Sequence, residues 1–360
     1  MSTNSRKRRW LAMALGAVGV GALGFGLVRM LFFFPSERMR VPVTCRADAT
    51  PIPTDRPTTV LVWNIQFGAG RSQGFFYDYG DAVSVPAEVV QETLQNIAAV
   101  IREVDPDVVL LQEVDRNSRR TARIDEHAWL VEETGYPCNA STPYFRAAYV
   151  PHPPQEHLGR MDMHLSVLSR YRIDDVVRHQ LPLLQESPAR RLFNLKRALL
   201  EVRMPVAGGL PLVLFNTHLS AFARGDGTVD RQVAMVGEHL ARVETERSPW
   251  LIGGDFNALA PGDDPKRLDP SEHALYPEAI TPVQPLLDRY GDPVGVDRWR
   301  DEPEAWRTFL RYGEDVPDRT LDYVIHGTRV QPVAYRVLHE HNTISDHLPL
   351  VYTFQITPSP

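Results

Sequence analysis

The chain has 360 residues, 43% hydrophobic and 23% charged, with a net charge of −6. That balance suits a packed globular body of one large or two modest domains. Residues 1–40 hold seven Lys/Arg against Glu37 alone, leaving 32 basic and 44 acidic groups in the rest. So acidic a body argues against tight non-specific binding to long nucleic acid, which needs Lys/Arg on phosphates, although it leaves room for a local basic groove.

Residues 10–34 are apolar except for Arg29, and residues 11–28 alone are 18 in number. That is about the length that crosses a bilayer as a helix. The RKRR stretch at 6–9 precedes it, so residues 1–9 are expected to be a cytoplasmic basic tail. Residues 10–34 are then a transmembrane signal-anchor, with the body outside. A cleaved signal peptide and a buried core helix are the competing readings. The apolar run is long, and no small-x-small site follows in FFFPSERM. Five prolines between 35 and 57 predict an extended spacer. Cys45 and Cys138 are the two cysteines; they either pair, if the body is exported, or stay two free thiols.

From Thr58 the pattern changes. TTVLVWNI is a buried strand pattern ending at Asn64, followed by a Gly- and aromatic-rich loop that includes FFYDYG at 75–80. Residues 86–104 have helical spacing, with Pro86 in the first turn. VVLLQEV reads as a strand ending near Glu113. HLSVLSRYRI and ALLEVRM are further strands, and LPLVLFNTHLS ends near His218. Residues 229–243 form an amphipathic helix, and PWLIGGDFN runs into Asp255 and Asn257. TLDYVIHG starts with Asp322, and SDHLPLVYTF carries Asp346 and His347 before an apolar run. Several strand pairs lack a helix between them, which favours an α+β sandwich with mixed sheets.

Eight polar residues thus gather at strand ends: Asn64, Glu113, His218, Asp255, Asn257, Asp322, Asp346 and His347. Each alone is explained by turn chemistry; the set is not. Carboxylates with Asn, and no zinc-type Cys/His spacing, indicate hard oxygen ligation of Mg²⁺, with Mn²⁺ as an alternative. Two His beside carboxylates supply phosphoryl-oxygen donors and proton transfer. No G-x-S-x-G elbow, P-loop or dinucleotide fingerprint is present.

The ordered set WNI (63–65), LQEV (111–114), NTHLS (216–220), GGDFN (253–257), LDYV (321–324) and SDHLPL (345–350) resembles the endonuclease/exonuclease/phosphatase superfamily, with its deoxyribonuclease-I-like fold. VLSRYRI and the segment at Arg197 agree with it. The resemblance spans residues 58–356. It implies a four-layer α/β sandwich, two mixed sheets face to face with helices on both outer faces. It also implies Glu113 as the main metal ligand, with Asn64 and Asp346 close to the metal. Asp255 then orients or deprotonates the attacking water, and Asn257 helps hold water or phosphate. His218 and His347 contact phosphoryl oxygens, Asp322 orients His347, and Arg197 contacts substrate. Two departures stand out: Gln66 occupies a position where some nuclease relatives have a carboxylate, and Met163–His164 replace small residues.

The expectation is therefore a membrane-anchored, Mg²⁺-dependent phosphodiesterase or phosphatase. Its setting is a bacterial inner membrane with the body outside, and its substrate a lipid headgroup or small phosphoester. An exported nuclease using Arg116, Arg119, Arg120 and Arg123 as a groove is the alternative. An inactive binding module is the minor one. The NAS sequon at 139–141 and the histidines 152, 157 and 164 receive no role.

Overall fold

The computed structural model describes residues 3–78, 80–221, 223, 225–276 and 280–357. It opens with helix α1 (Thr3–Leu31) and two short strands, β1 (Arg38–Arg40) and β2 (Val43–Cys45). β3 (Thr58–Asn64), α2 (Ala87–Val104) and β4 (Val108–Asp115) follow as a β-α-β unit. Helix α3 (Glu126–Thr134) leads to the long hairpin of β5 (Cys138–Val150) and β6 (Gly159–Ser169). Next come β7 (Asp175–Gln180), α4 (Pro188–Leu192) and β8 (Ala198–Met204). β9 (Leu212–His218), α5 (Thr228–Thr245) and β10 (Trp250–Asp255) form a second β-α-β unit. Short helices α6 (Gln284–Arg289), α7 (Val296–Asp301) and α8 (Pro303–Trp306) precede β11 (Asp322–His326), β12 (Val330–Val337) and β13 (Leu350–Ile356).

The strands make two mixed sheets, ordered β1-β7-β8-β9-β10-β11 and β12-β13-β3-β4-β6-β5-β2. Among the described strands only β3/β4 and β9/β10 pair in parallel, each bridged by its helix. Strands covered on both faces need apolar side chains in both directions, which is why TTVLVWN and LVLF read as continuous runs. One apolar cluster lies between the sheets, joining Val62 and Leu110 to Leu200, Leu214 and Leu251. A second packs α2, through Leu94, Ile97 and Ile101, on the outside of the seven-stranded sheet. A third packs α5, through Val233, Val236 and Leu240, on the six-stranded sheet. These are the four layers expected.

The region expected to be a spacer departs from that description. β1 pairs with β7, β2 pairs with β5, and Ile52 is fully buried on Val206. Each sheet gains an edge strand from it, and Cys45 and Cys138 form a disulfide that ties β2 to β5. Prolines between such short pieces interrupt the periodicity that would have marked them as strands. α1 contains the stretch Met13–Leu31, with mean hydropathy 1.7 and none of it buried. It is long and apolar enough to cross a membrane, by length and composition.

Candidate active site

The two parallel pairs end at one edge of the sandwich, and open α/β sheets place ligands beyond such carboxyl ends. Asn64 is the last residue of β3, His218 of β9 and Asp255 of β10. Asp322 opens β11 directly opposite Asp255. Asp346 and His347 lie in the loop before β13, not on the strand itself. Glu113 sits at a bulge in β4: the register against β6 slips between Leu111 and Val114, and its φ is +57°. The paired glycines of GGDFN have steric reasons. A Cβ on Gly253 would lie 2.6 Å from Val62 of the facing sheet. Gly254 has φ +152°, and a Cβ there would meet the Thr217 carbonyl at 2.0 Å.

All eight expected residues gather at this edge, with Asp255 at the centre. Asn64 Nδ2 donates to Asp255 Oδ2 at 3.0 Å and to Glu113 Oε1 at 3.3 Å. His218 Nε2 and His347 Nε2 lie 3.3 and 3.6 Å from the same Asp255 oxygen. The Asn257 backbone N–H donates to Asp255 Oδ1 at 2.9 Å, while its side-chain amide donates to the Leu219 carbonyl at 3.1 Å. His347 Nδ1 donates to Asp322 Oδ2 at 2.7 Å, and Thr308 Oγ1 donates to that oxygen at 2.6 Å. Arg197 stacks over Tyr144 at 5.3 Å, is 7% exposed, and its Nη1 has no partner among the described residues.

Burial sets the protonation states. It pushes the Asp255 carboxyl up to about 7, against the pull of the nearby His347. His218 is driven well below the usual imidazole range by burial, then by Arg197 and His347. His347 goes the other way: burial opposes its charge, but Asp322 and Asp255 outweigh it and hold the ring cationic. Burial, with the neighbouring Glu113 charge, pushes Asp346 up to about 7 against the opposing effect of His347.

Among the described residues, two sets of potential ligands bring their atoms within 4.8 Å of one another, Asp255–Asp322–His347 and His179–Glu201–His239. In the first, His347 Nδ1 is committed to Asp322. In the second, Arg203 and Arg242 already bind Glu201. The better fit for a hard cation is the pair Glu113 and Asp346: two carboxylates that repel each other, with the Glu113 side chain 20% exposed. Asn64 lies beside this pair: its oxygen accepts from the Gln66 backbone N–H at 3.1 Å, and its nitrogen faces Glu113 and supports that carboxylate.

Several residues at the site were given no role by the sequence. Tyr144 Oη accepts from the Glu113 N–H at 3.2 Å and lies 3.1 Å from His218 Nδ1. Gln66 holds the Asp346 backbone N–H through Oε1 at 3.3 Å. Gln112 and Asn216, the middle residues of LQE and the first of NTH, bond each other at 2.7 Å between the sheets. Of the arginine run, Arg116, Arg119 and Arg120 are each paired with a carboxylate, which leaves little free charge for a phosphate backbone. Residue 79 of the aromatic loop lies outside the described residues. His164 bonds Ser141 and Asp162, and His157 bonds Tyr149.

A profile of the Endonuclease/Exonuclease/phosphatase family matches residues 61–347. No match was found among curated proteins. Among solved structures, an endonuclease/exonuclease/phosphatase from Beutenbergia cavernae is 27% identical with a TM-score of 0.59, covering 84% of this chain and 72% of that one. The human Nocturnin catalytic domain with bound sulfate is 16% identical, TM-score 0.54, covering 88% and 97%. An Enterococcus faecalis protein is 15% identical, TM-score 0.52, covering 83% and 100%. Family members are generally metal-dependent hydrolases of phosphoesters. With its profile match spanning both sheets and every residue of the Asp255 cluster, the chain belongs to the endonuclease/exonuclease/phosphatase family.

Proposed function

We propose that the protein is a Mg²⁺-dependent phosphoesterase acting outside the cytoplasm on a lipid headgroup or another small phosphoester. The observation that carries this reading is the buried Asp255 carboxylate held between two imidazoles of opposite character, neutral His218 and cationic His347. A base with a pKa near neutrality beside a fixed cation is what water attack on a phosphoester requires.

Glu113 and Asp346 would hold the ion, with Asn64 steadying Glu113. Mg²⁺ bound there would polarise a phosphoryl oxygen. Asp255 takes the proton of the attacking water. His347 donates from Nε2 to a phosphoryl oxygen, its Nδ1–H fixed by Asp322. Tyr144, whose Oη accepts from the Glu113 N–H, lies 3.1 Å from His218 Nδ1 and orients the ring, so that His218 Nε2 faces the Asp255 carboxylate and the reacting centre. Arg197 offers its unpartnered N–H to the phosphoryl group. The apolar α1 and the Cys45–Cys138 bond support export, since disulfides persist in oxidising compartments. The pairing of Arg116, Arg119 and Arg120 supports a small phosphoester over nucleic acid.

The test is hydrolysis of bis(p-nitrophenyl) phosphate by the detergent-solubilised full chain with Mg²⁺, with Asp255→Asn as the blank. Turnover that survives excess chelator, or that equals the blank, rejects the reading.

A further inference from the structure

We propose that α1 holds the catalytic edge against the bilayer, and that the scissile phosphoester belongs to a lipid in the facing leaflet. This rests on the phosphoesterase reading and goes further by choosing the substrate class.

The point where the anchor meets the body is the first argument. None of Met13–Leu31 is buried. It meets the body only at its C-terminal end, where Arg29, Met30 and Leu31 face Arg146 and Ala147 of β5, and the contact tightens just beyond: Phe32 bridges to Ala147 and its ring meets Phe193 at 5.0 Å. Phe33 lies under the guanidinium groups of Arg146 and Arg178. On the same strand Tyr144 reaches His218. From Tyr144 to Ala147 the strand advances by about 10 Å. The direction of that advance is fixed by register. Asp115, two residues past Glu113, pairs with Met163, and Ala147 pairs with Met161, nearer the hairpin tip. The anchor therefore joins the body beyond the catalytic carboxylates, on the open side of the edge.

The surroundings of that junction suit a membrane surface. Arg29, Arg146, Arg160 and Phe32–Phe34 line a cavity of about 330 Å³. Asp162 is the carboxylate paired with both Arg146 and Arg160, so the cavity is net positive and suits an anionic headgroup. Tyr149, next to the cavity-lining Ala148, stands 52% exposed. Half-exposed aromatics with a polar tip favour the interface. With Leu31 ending the apolar span, Phe32–Phe34 fall at headgroup depth and the catalytic edge beside them. In the reaction, water oxygen bonds to phosphorus, one ester P–O bond breaks, the released oxygen takes a proton, and a phosphate monoester and an alcohol result.

The experiment uses the full chain reconstituted in phosphatidylglycerol/phosphatidylcholine vesicles with Mg²⁺. A second form carries about 15 Gly/Ser residues inserted between Leu31 and Phe32, which frees the body from its fixed orientation. Hydrolysis of vesicle lipid is expected to fall at least about tenfold on insertion, while soluble bis(p-nitrophenyl) phosphate turns over within about twofold of the parent. Cleavage of the soluble diester with vesicle lipid untouched overturns the lipid substrate but leaves the phosphoesterase reading standing. Cleavage of neither overturns both. Orientation is read separately with a fluorophore on Tyr149→Cys or Leu210→Cys, the native cysteines being bonded. Nitroxide lipids should quench the label at 149 strongly and that at 210, on the opposite loop, weakly; equal quenching overturns the orientation.

Discussion

Asp322→Asn isolates the charge behind His347. Asp322 is 2% exposed, and one of its oxygens accepts from His347 Nδ1 at 2.7 Å and from Thr308 at 2.6 Å. The amide is isosteric, so both contacts survive when its oxygen takes that place. What is lost is the negative charge. A hydrogen bond to a charged partner contributes about 1.5–3 kcal/mol and a neutral one about 0.5–1.5, so the resting imidazolium loses about 1–2 kcal/mol of support. The transition state loses more, because charge grows on the phosphoryl oxygens while His347 donates to them. Removing one preorganised donor of this kind costs about 10²–10³ in turnover. We expect kcat for the soluble diester to fall by that factor, KM to stay within about threefold, and unfolding in urea to shift by less than about 2 kcal/mol. A variant with kcat within about threefold of the parent would remove the Asp322–His347 pair from the reaction. Loss of activity that tracks loss of folding would make the pair structural.

Glu113→Gln should raise the Mg²⁺ concentration needed for half-maximal rate by at least about tenfold with little change in folding; an unchanged Mg²⁺ titration refutes the ligand assignment. Cys45→Ser with Cys138→Ser opens a loop of 93 residues, worth up to about 4–5 kcal/mol in the chain-entropy account. A urea midpoint unchanged by the double substitution, or by reductant, would show that the bond adds nothing. Acid stability should follow the His179–Glu201–His239 cluster. Burial, then His179 and Arg242, lower His239 to about 4, so stability is complete above its unfolded pKa of about 6.5 and falls as pH drops toward 4. Burial opposes Glu201, but His179, Arg242 and Arg203 lower it to about 2, so a further loss, about 3 kcal/mol at most, comes between about 4.5 and 2. Urea midpoints at pH 8, 5 and 3 check this, and a Glu201→Gln chain that keeps the full acid slope below pH 4.5 contradicts it.

The parts of the fold legible in the sequence are those where both faces of an element are covered. TTVLVWN, VVLLQEV and LVLFNTH could only be buried strands, and each delivers its last polar residue to the site. β12 was not legible, because seven of its eight residues are exposed or half-exposed at a sheet edge and Pro332 sits at a register shift. β5 was missed for another reason: its inward positions start with the small Cys138, Ala140 and Thr142 rather than large apolar residues, and Pro143 and exposed Arg146 interrupt it. β1 and β2 are three residues each, too short to show any period. At the site, motif residues were legible because their roles depend on side-chain chemistry. Tyr144, Gln66 and Thr308 act by orienting other groups from distant elements, and nothing local in the sequence marks such a task.

The bulge in β4 shows why spacing alone could not orient the site. Leu110 faces the core between the sheets and Leu111 the α2 side. Gln112 turns inward again, to Asn216. Strict alternation would then send Glu113 outward under α2, where a carboxylate would be buried without a partner. Instead Val114 takes the outward place. Glu113 is the extra residue, carried at φ +57° and turned to the open edge beside Asn64. A non-glycine residue in that region costs on the order of 1 kcal/mol or more, and it persists only where its surroundings impose it. Here the Gln112–Asn216 bond fixes the strand on one side and the Tyr144 hydroxyl holds the Glu113 N–H on the other. Tyr144→Phe should thus do more than remove a contact to His218. By freeing the Glu113 N–H it should loosen the bulge and weaken Mg²⁺ dependence as well as turnover. A Tyr144→Phe chain with lower kcat but an unaltered Mg²⁺ titration would mean the bulge is held by Gln112 alone.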